Sequence, residues 1–177
     1  LDQLVLDAYG HKAIQSADVD NELVPEVMRR LQRFLPEGAA ELLADPSYVK
    51  KVLDLFDRTD RKLSYLEQLT ECDFKYYFLR PSSPAKLLAH FEADVVSNVL
   101  RSVIDCTEWS LDSLRNLAAG HGMKYAAVLQ IIRLALIDSR NGPPVMELFQ
   151  FFGKDECLKR FSELLVKLEQ CEVSAAA

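Results

Sequence analysis

Met123-Lys124-Tyr125-Ala126-Ala127-Val128-Leu129-Gln130-Ile131-Ile132-Arg133-Leu134-Ala135-Leu136-Ile137 is the most regular run in the chain. Val128, Leu129, Ile132 and Leu136 recur at helical spacing, which predicts a helix over 124–137. Downstream, Asn141-Gly142-Pro143-Pro144 reads as a rigid turn. A helix is expected over 145–152, stopped by Gly153, and a last one over 155–169 carrying Leu158, Phe161, Leu164, Leu165 and Leu168. Upstream, Gly120-His121-Gly122 closes a helix over 111–118 whose natural N-cap is Ser110.

Further upstream, Leu87, Leu88, Phe91, Val95, Val99 and Val103 predict one long amphipathic helix. Arg80-Pro81-Ser82-Ser83-Pro84 is a loop. The aromatic run 74–79 has strand-like composition but no partner strand, so it is expected as an extended or helix-end segment packed into the core. Val49, Val52, Leu53 and Phe56 mark a helix from Ser47 to Phe56, capped by Asp45 or Ser47. Leu63, Leu66 and Leu69 resume the stripe after the charged stretch 57–62. Val24, Val27, Met28, Leu31 and Leu35 mark another, with Pro25 tolerated in its first turn. Shorter helical patterns stand at 4–8 and 39–43. The expected fold class is therefore all-α, with no repeat of solenoid period.

The 177 residues suit one ordinary domain or two small helical ones. No apolar run reaches bilayer length, and residues 1–10 show no targeting pattern. The formal charge of −6 argues mildly against nucleic acid, although a local basic face can still hold phosphates. Cys72, Cys106, Cys157 and Cys171 stand apart, so zinc and redox dithiols are not expected and free, mostly buried thiols are. His11, His90 and His121 are each solitary. His90 and Asp94 share i,i+4 spacing but read as a helix-surface pair. No catalytic or metal constellation is expected. Basic residues gather at Arg29, Arg30 and Arg33, at Lys50, Lys51, Arg58, Arg61 and Lys62, and at Lys124, Arg133 and Arg140. Such clusters either hold phosphates or form an ordinary solvated surface.

Several motifs stand in a specific order: Trp109-Ser110-Leu111; Lys124-Tyr125; Arg133-Leu134-Ala135-Leu136; Gly142-Pro143-Pro144-Val145-Met146-Glu147; Gly153-Lys154; and Arg160-Phe161. This order and spacing resembles the last subdomain of glutamyl-tRNA synthetases. More weakly, Pro46-Ser47-Tyr48-Val49 and the segment 74–81 resemble their first anticodon-binding subdomain. The details at Lys124-Tyr125 and Gly142-Pro143-Pro144 resemble mitochondrial forms most. One departure is that Ile137-Asp138 stands where the family has Thr-Gly, so the end of that helix is expected to differ.

The resemblance implies the end of a stem-contact region over 1–35, anticodon-binding subdomains over 36–105 and 106–172, and a tail over 173–177. It implies a part of a glutamate–tRNA ligase that binds the anticodon arm of tRNA-Glu, with tRNA-Gln as a second acceptor. The complete enzyme would use ATP and Mg2+, whereas this part would hold no cofactor and be inactive alone. It implies RNA contact at Gly142, Pro143, Pro144 and Val145 and a base-reading arginine position at Arg58 or Thr59, and from the basic clusters Arg61, Lys124 and Arg133 are expected to join them. A monomer in the mitochondrial matrix is expected, with a bacterial cytoplasm as the alternative. The competing reading is a helical protein-interaction scaffold.

Overall fold

A computed structural model describes residues 24–33, 42, 44–58 and 75–176. Among them every regular element is helical. The expected helices at 4–8, 39–43 and 63–69 lie outside the described residues or nearly so. The chain divides into two compact units, Leu1–Arg80 and Pro81–Ala177. The subdomain boundary expected at 105–106 falls inside the second unit.

In the first unit, α1 (Val24–Leu31) packs against α2 (Pro46–Arg58). Val24, Val27 and Leu31 are buried on one, Val49, Val52 and Leu53 on the other. These are the apolar positions expected from three- and four-residue spacing. Asp45, rather than Ser47, caps α2: its Oδ1 accepts from the Ser47 amide at 3.0 Å. The aromatic segment forms a 3-10 turn, Lys75–Tyr77, with Tyr77 and Phe78 buried. The Tyr48 hydroxyl donates to the Tyr77 carbonyl, and the Tyr48 ring meets Phe78 edge-on at 5.9 Å. On α1, the guanidinium of Arg29, and after it that of Arg30, hydrogen-bonds Glu26, holding its carboxyl at about 2. The same pairing raises Arg29. Two of the three cations in this cluster are thereby committed to an acid.

The second unit contains α3 (Ala85–Leu88), α4 (Ala93–Asp105), α5 (Leu111–Gly120), α6 (Tyr125–Ile137) and α7 (Val145–Ala176). The long helix expected over 87–103 is two helices. Glu92 is extended (φ −67°, ψ 144°), and the break changes the register: Val96, Ser97, Val99, Leu100 and Val103 face the core, while Val95 is half-buried. His90 and Asp94 therefore do not share a helix. Spacing alone could not show the break, because apolar residues recur on both sides of it.

Helix α6 lies at the centre, packed by α3, α4, α5 and α7. Ile131, Ile132, Leu134, Ala135, Leu136 and Ile137 are all buried, so it is enclosed on several sides rather than along a single stripe. Gly153 (φ 76°, ψ 163°) kinks α7 where a stop was expected. Trp109 joins α4 to both halves of α7: its Nε1–H donates to the Val103 carbonyl at 2.9 Å, and its ring lies 4.6 Å from Phe149 and 5.9 Å from Phe161. Arg160 is fully buried, yet it is engaged. Nη1 donates to the Leu136 carbonyl at 2.6 Å, Nε donates to Glu156 at 3.0 Å, and the guanidinium lies 4.1 Å from the centre of the Phe152 ring. It satisfies a carbonyl at the end of α6 that the helix itself cannot.

Candidate nucleic-acid interface

The turn between α6 and α7 carries Gly142, Pro143 and Pro144 of the residues singled out by sequence, and its conformation follows from local chemistry. Asp138 ends α6 in the left-handed region (φ 52°, ψ 30°), and its amide donates to the Leu134 carbonyl at 2.9 Å. Asp is among the few non-glycine residues that adopt this conformation readily, so it takes the place a glycine would fill. The Ser139 hydroxyl donates to the Asn141 carbonyl at 2.8 Å and accepts from the Asn141 amide at 3.2 Å. A Cβ at Gly142 (φ 153°) would sit 2.9 Å from Ile137 Cδ1, which no real side chain tolerates without a shift. Pro143 is buried and Pro144 exposed. The Pro144 carbonyl accepts from the amides of Glu147 and Leu148 at 3.0 and 3.1 Å, which starts α7.

Two cations hold this turn. Arg133 Nε donates to the Pro143 carbonyl at 3.2 Å, and Nη1 donates to the Arg140 carbonyl at 3.0 Å. Lys86 Nζ lies 3.0 Å from the Asp138 carbonyl and 3.2 Å from its carboxylate. Arg140 is exposed beside them, and Asp138 is the acid paired with Lys86. Three cations therefore stand at the turn, one of them paired with an acid.

The residues expected at the interface are placed unequally. Gly142, Pro143, Pro144 and Val145 are brought together with Arg133. Val145 is only 3% exposed and faces the core, which leaves Pro144 as the open side chain of the four. Lys124 is exposed but precedes the first turn of α6, roughly 20 Å along the axis from Ile137 by the rise per residue. The structure does not bring it to the turn. The backbone of Arg58 ends α2. Its side chain, and Thr59 and Arg61 entirely, lie outside the described residues. Sequence reading missed Lys86. It comes from a helix far upstream, and no local signal marks it.

A second concavity, open to solvent, lies between α4 and α5. There Ser102 Oγ and His121 Nε2 stand 2.8 Å apart, near Cys106 and Asn116. Its lining includes no carboxylate. Among the described residues no cluster of His, Cys, Asp or Glu could hold a metal ion. Cys106, Cys157 and Cys171 are free, as expected, but only Cys157 is buried. Desolvation pushes its thiol up to about 12, with Arg160 opposing and Glu156 adding to the shift. No helix among the described residues is long and apolar enough to cross a membrane.

A family model described as an anticodon binding domain matches residues 22–165. The chain belongs to this family. The chain is 24% identical over 163 residues to the glutamate–tRNA ligase of Rhodopseudomonas palustris strain HaA2, covering 87% of this chain and 34% of that protein. It is 30% identical over 161 residues to glutamate–tRNA ligase 2 of Rhodospirillum centenum, covering 87% and 33%. It therefore spans about a third of the length of these curated relatives. A crystal structure of a glutamate tRNA ligase from Elizabethkingia meningosepticum, solved with its amino acid, superposes with a TM-score of 0.59. It covers 92% of this chain and 32% of that one at 18% identity. At that identity the likeness establishes the shared all-α fold. The resemblance drawn from the motif order of residues 109–161 and the family found by comparison agree.

Proposed function

We propose that this anticodon-binding domain docks the anticodon arm of a tRNA as part of a glutamate–tRNA ligase. The observation that carries the reading is the match of relatives named glutamate–tRNA ligase across most of the chain. The turn at 138–144 supports it physically. Unstacked anticodon bases are recognised by stacking and by hydrogen bonds to their edges, and a fixed backbone beside an exposed proline ring offers both. Pre-ordering lowers the entropy lost on binding.

In this reading Pro144 and the backbone around Gly142 and Pro143 meet bases, with Arg140 and Lys124 near phosphates. The first unit contributes Arg58, Thr59 and Arg61, and the arginine position at 58–59 reads a base. The subdomains would run 36–105 and 106–172. The cognate RNA would be tRNA-Glu, with tRNA-Gln accepted as well, and the protein a monomer. ATP and Mg2+ would serve the complete enzyme, which esterifies glutamate to tRNA, and this part would not aminoacylate alone. The relatives described above are bacterial, which favours a bacterial cytoplasm; mitochondrial residence has no support among them. The scaffold reading has only the net charge in its favour.

Fluorescence anisotropy tests the reading with tRNA-Glu and with the same tRNA altered in its anticodon, each at two salt concentrations. Binding is expected to weaken with salt and to drop several-fold on anticodon change. Salt-sensitive binding that ignores the anticodon would reduce the surface to a general RNA dock. Absence of binding at low salt by folded, helical protein would sink the reading.

A further inference from the structure

We propose that Lys86 and Arg133 are positioning residues: they fix the backbone of the 138–144 turn in the shape that RNA meets, and neither contacts phosphate. This rests on the RNA reading above and goes beyond it, because the basic residues near such a turn would ordinarily be assigned to phosphates.

The geometry points to carbonyls instead. The Arg133 guanidinium spans the Arg140 and Pro143 carbonyls, three residues apart in a segment without ladder or helix bonds of its own. Lys86 reaches from α3 to the Asp138 carbonyl and carboxylate, where the turn leaves α6. One cation thus ties the start of the turn and the other its far half. Between them the Ser139 hydroxyl closes the loop on Asn141, and Gly142 lies against Ile137, whose Cδ1 would stand 2.9 Å from a Cβ there. The planar fork of arginine holds donors at a fixed spread that spans two separated carbonyls, whereas the donors of lysine all sit on one compact ammonium at the end of a flexible stem. Releasing these ties would return conformational freedom to the turn, and RNA binding would then have to remove it.

The test uses the 177-residue chain and an RNA hairpin carrying the glutamate anticodon, titrated by anisotropy over a series of KCl concentrations. Amide exchange at Asn141 is followed in the free protein. Arg133→Ala and Arg133→Lys are both expected to weaken binding by about five- to tenfold and to speed exchange at Asn141. The slope of log affinity against log salt should stay as in the unaltered chain, since no phosphate contact is lost. Lys86→Ala, at a half-exposed side chain that tolerates truncation, is expected to weaken binding by about threefold in the same way, with the fold intact. A slope smaller by about one on Arg133→Ala or Lys86→Ala would make that residue a phosphate ligand and overturn its positioning role. Full rescue by Arg133→Lys, or unchanged binding and exchange in the alanine variants, would overturn the proposal as well. If the unaltered chain fails to bind, the RNA reading falls and takes this inference with it. If it binds and the variants match it, only this inference falls.

Discussion

Asp138 shows how one residue can hold an unusual backbone without glycine. Its φ of 52° is the one positive value at a non-glycine residue among those described. Asp138→Ala keeps a Cβ in the left-handed region and loses the side chain that bonds Lys86, so it should destabilise the chain by about 1 kcal/mol. Asp138→Gly removes the steric penalty and should cost less than Ala; urea unfolding midpoints of the two variants check the order. Cys157 is the second residue-scale case. Its buried thiol should resist a disulfide-exchange reagent at pH 8 in the folded chain, while exposed Cys171 reacts, as modification sites read by mass spectrometry would show. The sign of the pH effect follows from linkage. The folded pKa, about 12, lies above the unfolded value, so the contribution is complete below the unfolded pKa of about 8.5 and is lost as pH rises toward 12.

At the scale of elements, helix ends were more legible than helix continuity. Ser110 was expected as the N-cap of α5, and its hydroxyl accepts from the Ser113 amide at 3.1 Å. Ser110→Ala should lower stability by about 1 kcal/mol, measured by thermal or urea unfolding, with the α-helical signal retained. Gly153 was legible as an interruption because its φ of 76° suits glycine. The split between α3 and α4 was not legible. Both halves carry apolar residues at compatible spacing, and the register slip at Glu92 becomes visible only when Val96 and Leu100, not Val95, meet the core.

On the scale of the molecule, the second unit has a core of its own, built from α4, α6 and α7 around residues such as Val99, Leu100, Ile132, Leu148, Phe161 and Leu164. A chain of residues 81–177 is therefore expected to fold alone. It should give a helical circular dichroism spectrum and a cooperative urea transition, and a spectrum without such a transition would contradict this. The net charge of −6 sums a whole surface, while Lys86, Arg133 and Arg140 collect at one turn. The candidate site was half legible for the same reason. Gly142, Pro143 and Pro144 announce a rigid turn by their chemistry, but nothing in the order of residues says that Val145 faces inward or that Lys124 stands at the other end of α6.

The sequence by itself determined the helical class, the Ser110 cap, the turn at 141–144 and, through motif order, the family. The class, the cap and the turn depend on residues within a few positions of one another, where backbone sterics and local hydrogen bonding dominate. Tertiary structure alone decided that α6 is enclosed rather than striped, that Arg160 is buried against the end of α6, and that Lys86 closes on Asp138. Those outcomes depend on which surfaces meet when apolar area leaves water, and that pairing joins residues far apart in the chain.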